Sequence, residues 1–182
     1  QKGDLVCVSG DLGAAFLGLT LLEREKKIYL ENPNVQPDLE SEDYIVGRFL
    51  KPEARRDIVE FLEKNEIVPT AMMDVSDGVS SEILHICKQS KTGCKIYEDK
   101  LPINEAARQA AFKFGLDPTV CALNGGEDYE LIFTMKQSDY DKITLNEEIS
   151  VIGYITDADE GCKFLSKGGN EFDITAQGWK AF

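Results

Sequence analysis

Three short β-rich runs close this chain, and the turns between them are too short to hold a crossover helix. The runs cover residues 150–156, 162–165 and 171–174. Asp157-Ala158-Asp159-Glu160-Gly161 joins the first two and Gly168-Gly169-Asn170 joins the last two. Parallel neighbours need a connection of a dozen or more residues, so these turns predict hairpins and argue against a purely parallel, doubly wound sheet. Upstream, helical and strand patterns alternate. Residues 5–9 read as a buried strand that ends in Gly10-Asp11-Leu12-Gly13, with a helix over 14–24. Pro33 and Pro37 mark 32–40 as a loop. Helices follow over 42–50 and 52–64, with Pro52 in a first turn and Ile58, Phe61 and Leu62 as an apolar stripe. A strand is expected over 71–75, a helix over 78–91 and a strand over 94–97. An alanine-rich helix over 104–114 is capped by Gly115, and a strand covers 129–134. The expected fold is α+β: a layered α/β sandwich with a mixed sheet.

The chain has 182 residues and a formal net charge of −13. That length holds one domain with a proper core, and that charge repels a nucleic-acid backbone. No run approaches the ~18 apolar residues of a membrane span, and no signal peptide opens the chain. Gln1-Lys2-Gly3 is not a natural start, so a piece of a longer protein is expected. The five cysteines are odd in number and show no C-x-x-C spacing; they read as reduced, mostly buried thiols of a cytoplasmic protein. His85 is the single histidine, so neither a zinc site nor a Ser-His-Asp triad is expected.

Two acidic motifs carry the chemistry. In Asp74-Val75-Ser76-Asp77-Gly78, Asp74 ends an apolar strand, where a lone buried charge is costly. Magnesium held by Asp74 and Asp77 relieves that cost, and the Ser76 hydroxyl with nearby N–H groups can hold a terminal phosphate. The rival reading makes Asp77 a helix cap with Ser76 supporting the turn, and spacing leaves the two open. In Gly125-Gly126-Glu127-Asp128-Tyr129-Glu130-Leu131, the glycines permit close backbone approach. Spacing alone favours solvated acids at a strand entry over a Glu127 that reaches substrate. Arg55-Arg56 reads as a solvated helix face rather than an anion site, and Gly10–Gly13 as a tight packing turn.

Together these segments resemble the thiamine-monophosphate kinase family, within the superfamily of aminoimidazole ribonucleotide synthetase. The matching stretches are MMDVSDG at 72–78 with the helix through Leu84-His85-Ile86, LNGGEDYELIFT at 123–134, VIGYIT at 151–156, GDLVCVSGDLGAA at 3–15, LKPEARRD at 50–57 and GWKAF at 178–182. Val79 stands where leucine is more usual. The resemblance implies transfer of the ATP γ-phosphate to thiamine monophosphate, giving thiamine diphosphate and ADP, with several magnesium ions. It makes Asp74 and Asp77 magnesium ligands at the catalytic centre. It places Ser76 on the ATP phosphates and Glu127 and Trp179 on the thiamine phosphate. It implies a two-domain subunit with the cleft between its domains. Residues 1–30 are then the connecting strand and helix from an N-terminal domain that this sequence lacks, and 31–182 the C-terminal domain. The piece alone is expected to be inactive and the full-length protein a homodimer. The alternatives are another ATP-using enzyme of the superfamily and a non-catalytic nucleotide- or thiamine phosphate-binding module.

Overall fold

The computed structural model describes residues 1–40 and 42–176. Its first strand, β1 (Leu5–Ser9), is buried almost throughout because it lies in the middle of the sheet. It pairs antiparallel with β4 (Leu131–Met135) on one side and β5 (Ile149–Thr156) on the other. Beyond β4 lies β2 (Ala71–Asp74), also antiparallel. Beyond β5 come β3 (Gly93–Tyr97), β6 (Cys162–Leu165) and β7 (Glu171–Asp173), giving the order β2-β4-β1-β5-β3-β6-β7. β1, from the expected linker at 1–30, thus shares one sheet with the strands β2 to β7 of the segment that follows.

The sheet is mixed, as expected, through a parallel pair, β3 with β6, the single one among the described residues. The expected run of C-terminal hairpins is only half realised. β6 and β7 form one, but β3 lies between β5 and β6. The short turn at 157–161 therefore steps over a strand instead of joining two neighbours. A five-residue link can do this because β3 has already filled the place beside β5.

Alternation along each strand divides the core. Val6, Val8, Ile132 and Ile152 pack with Val79, Ile83 and Ile86 of α4 (Val79–Ser90). Cys7, Phe133 and Met135 form a second cluster with Ile58 and Leu62 of α3 (Arg56–Lys64) and Ile143 of α7 (Tyr140–Ile143). A third cluster joins α1 (Ala14–Glu31), α2 (Asp43–Leu50), α5 (Glu105–Lys113) and α6 (Pro118–Asn124) through Leu17, Leu21, Ile45, Ala107, Ala111 and Cys121. Three boundaries differ from the sequence expectation. α1 continues past Arg24 to Glu31, and α3 begins at Arg56 rather than at Pro52. β4 begins at Leu131, because Glu127 and Tyr129 adopt positive φ of 64° and 50° and break the extended path. α6 was unanticipated, yet it carries a legible start: Asp117 accepts from the Thr119 N–H at 2.7 Å and Pro118 opens the helix.

Two buried carboxylates of the second motif tie these layers together. Asp128 accepts from the backbone N–H groups of Gly13 (2.8 Å) and Ala15 (3.3 Å), and so anchors the start of α1. Glu130 accepts from Ser9 Oγ (2.5 Å), Arg48 Nη2 (2.8 Å) and Arg55 Nη1 (2.6 Å). Arg48 comes from α2 and Arg55 from the segment before α3, so one carboxylate joins β1, β4 and both flanking helices. The approach needs a glycine at Gly10, where a Cβ would run into the Glu130 carboxylate and lie 2.6 Å from Arg55 Nη1.

Removal of one partner from a buried, hydrogen-bonded charge cluster typically costs about 3–5 kcal/mol. Glu130→Ala should lower the stability of the domain by that order, read as a shift of the urea midpoint without a change in slope. Burial pushes the Asp128 carboxyl up to about 7 against the pull of its two N–H donors. The folded state therefore holds a proton that the unfolded chain, with an ordinary carboxyl near ~4, has released. This group's contribution to stability is present below about pH 4 and falls as pH rises through 7. Asp128→Asn should remove that part of the pH dependence, measured by urea unfolding across the same range.

Candidate active site

The two acidic motifs meet through their backbones. The Val75 N–H donates to Glu130 O (2.7 Å), the Tyr129 N–H to Val75 O (2.9 Å) and the Glu127 N–H to Ser76 O (2.8 Å). These bonds carry the β2–β4 ladder past its last strand residue. Gly126 makes the approach possible: its φ is 69°, and a Cβ there would sit 2.5 Å from Ser76 O. Positive φ at Glu127 and Tyr129, non-glycine residues, stores backbone strain of the kind that clusters at functional sites. The same turns sort the motif by direction. Asp128 and Glu130 are buried in the fold, whereas Glu127 is half-buried and Tyr129 exposed.

Asp74 is exposed at the end of β2, so the expected buried lone charge is not found; its carboxylate faces solvent beside the motif junction. Asp77 is exposed too, and it does not cap α4. The cap is Gly78, which provides no side-chain hydrogen bond. The cap reading of the first motif therefore fails for Asp77, whose charge is left for another use. Ser76 is half-buried. Its N–H (3.0 Å) and that of Asp77 (2.7 Å) both donate to the buried carboxylate of Glu82. The Ser76 hydroxyl donates to the same Glu82 oxygen at 3.4 Å. Those two N–H groups, expected as phosphate donors, are thus committed to Glu82, a residue that sequence reasoning passed over. Its signal was an acid within the first turn of a helix that lacks a side-chain cap.

Tyr129 is the centre of the exposed acids. The charge of Glu127 above all, then burial, then Asp74 and Asp77 raise its phenol from the ordinary value. Three carboxylates around one ring form a strongly negative surface, which favours a cation or a polycationic complex. Asp74, Tyr129 and Leu131 line a cleft of about 360 Å³ with Pro52, Ala54 and Arg55. A second cleft of about 590 Å³ adjoins it, with Arg55 common to both, and contains Tyr44, Arg48 and Glu130. In it Tyr44 donates to Asp11 Oδ1 at 2.5 Å. Asp11 Oδ2 and Arg48 Nε are buried and lack hydrogen-bond partners among the described residues, although Arg48 Nε stands 3.6 Å from Asp11 Oδ1. Arg55 is not a solvated helix residue. It makes a paired contact with Asp57 (3.0 and 2.8 Å) and reaches Glu130 and Glu148, and Asp57 first and Glu130 next raise its guanidinium further. Nor are Asp128 and Glu130 the solvated acids that spacing suggested. Trp179 lies outside the described residues.

The donor set of the exposed site is hard oxygen, which fits magnesium: Asp74 and Asp77 have no ion-pair or hydrogen-bond partner for their carboxylates among the described residues. Magnesium commonly takes one or two protein carboxylates and completes its shell with water and phosphate oxygens. Among the described residues, no helix is long and apolar enough to cross a membrane.

Known proteins are similar to this chain in sequence and fold. A thiamine-monophosphate kinase of Buchnera aphidicola subsp. Schizaphis graminum is 34% identical over 171 residues, covering 91% of this chain and 49% of that protein. That of Aquifex aeolicus is 33% identical over 182 residues, covering 100% and 53%. A solved structure of AaThiL complexed with AMPPCP and TMP superposes with a TM-score of 0.76 at 31% identity, over 100% of this chain and 52% of that one. The chain spans about half the length of the curated relatives it matches. The family described as AIR synthase related protein, C-terminal domain, matches residues 1–162. By that match, which takes in both acidic motifs and all of the sheet up to the start of β6, this chain belongs to the AIR synthase related protein, C-terminal domain family.

Proposed function

We propose that this chain supplies one side of the active cleft of an ATP-dependent kinase that phosphorylates thiamine monophosphate. The observation that carries the reading is the backbone junction of the two motifs, which brings Asp74, Asp77 and Glu127 near Tyr129 with no ion-pair partner for any of the three among the described residues. Support comes from the relatives named as thiamine-monophosphate kinases and from the similar structure that holds AMPPCP, an ATP analogue, with TMP. Asp74 and Asp77 would hold magnesium. Bound there, the metal would supply charge neutralisation between two anionic reactants. Ser76 would meet the ATP phosphates through its hydroxyl, released from its long contact with Glu82. Glu127 and Trp179 would meet the thiamine phosphate, the tryptophan through stacking on a flat cationic ring.

In this reading an acceptor phosphate oxygen attacks the γ-phosphorus as its bond to the β-phosphate oxygen breaks, and ADP leaves. No residue of this chain is phosphorylated on the way. Relatives about twice as long support a reading in which the reaction needs a further domain, and the longer protein is expected to work as a homodimer. The net charge of −13 disfavours nucleic acid, while bound divalent cations would let the same surface accept small phosphorylated ligands; a cytoplasmic enzyme is expected.

The test is a coupled ADP-release assay of the full-length protein with ATP, magnesium and thiamine monophosphate. Turnover is expected there and none from the 182-residue chain alone. In the full-length protein, Asp74→Asn and Asp77→Asn should each lower kcat/KM by about 100-fold or more. Both sites are exposed, so the unfolding free energy should stay within about 0.5 kcal/mol of the parent. Unchanged turnover in either variant would defeat the magnesium assignment. Glu127→Gln should raise KM for thiamine monophosphate more than for ATP, and the reverse pattern would displace Glu127 from the acceptor side.

A further inference from the structure

The three thiols of Cys87, Cys94 and Cys162 come together from separate elements: α4, β3 and β6. Their sulfur atoms all lie within 4.8 Å of one another. Cys94 and Cys162 are direct partners in the parallel β3–β6 register, and Cys87 comes from the last turns of α4 above them. Cys87 and Cys94 are buried and Cys162 half-buried, so the cluster has one open side. A fourth donor adjoins it. Thr92 Oγ1 lies beside Cys87, buried and without a hydrogen-bond partner among the described residues. The acidic site has no part in this cluster.

We propose that Cys87, Cys94 and Cys162 form a three-thiolate site for a thiophilic divalent cation of the zinc class, with Thr92 Oγ1 or water in the fourth position. Thiolate ligands select soft and borderline cations over magnesium. A tetrahedral ion with bonds of about 2.3 Å to sulfur sets its ligands about 3.8 Å apart, a spacing that falls within the 4.8 Å bounding these thiols. On binding, each sulfur donates a lone pair to the ion and its proton passes to solvent. Three thiolates and a divalent ion leave one net negative charge, whereas a monovalent ion would leave two in a largely buried place. The bound ion would tie the end of α4 to β3 and β6.

Titration of the reduced, chelator-treated protein with Cd2+, followed by thiolate-to-metal charge-transfer absorption, tests this. The expected result is a band that saturates at one ion per chain, is displaced by Zn2+, and accompanies a rise in the thermal unfolding midpoint. Cys162→Ser, a mild change at a half-buried position, should abolish both the band and the rise. Cys121→Ser, in a different cluster, should keep both. A missing band, a band with no defined stoichiometry, or a band that survives in Cys162→Ser and in Cys94→Ala would overturn the proposal. So would a disulfide among the three in protein purified under reductant.

Discussion

The close passage of Gly126 over the Ser76 carbonyl is the constraint on which the candidate site depends. Three main-chain hydrogen bonds follow from it, and they join two segments about fifty residues apart into one surface. Main-chain bonds hold this geometry whatever the side chains do, so the acids at its edge need not contribute to folding. That separation of duties explains why one motif contains both deeply buried carboxylates and a more accessible one. Asp128 and Glu130 bind the scaffold, and Glu127 is left half-buried beside Tyr129.

The structural acids have their own logic. Glu130 receives two guanidinium groups and a hydroxyl, which satisfies a charge that burial alone would penalise heavily. Arg55 then extends the network to Asp57 and Glu148 at the surface. Both clefts share Arg55, so the same cluster that fixes the helices also shapes the walls of the space beside Asp74 and Tyr129.

Much of this was legible in the residue pattern. The strands at 5–9, 71–74 and 149–156 follow from apolar runs bounded by glycine or acid, and α4 from the spacing of Val79, Ile83, Ile86 and Cys87. The mixed character of the sheet was readable too. The strand order was not, because a five-residue turn says nothing about a third strand already lying between its ends. The fates of Asp128 and Glu130 were hidden for a related reason. Local spacing reports an acid near a turn, and only the long-range arrival of Gly13, Arg48 and Arg55 makes it a buried anchor. The thiol cluster escaped for the same cause, since its members meet across a parallel pair with no local motif. Glu82 was the opposite case: its signal was local, an acid in the first turn of α4, and was overlooked.

β1 heads the chain yet occupies the centre of the sheet. Ser9 meets Glu130 across a separation of 121 residues, and both neighbours of β1 lie in the last third of the sequence. Such pairing gives the domain a high contact order, and chains of that kind fold slowly. During synthesis the first strand must wait, unpaired, until nearly the whole domain has left the ribosome. Its edges are open to other strands until then, an exposure of the kind that chaperones cover.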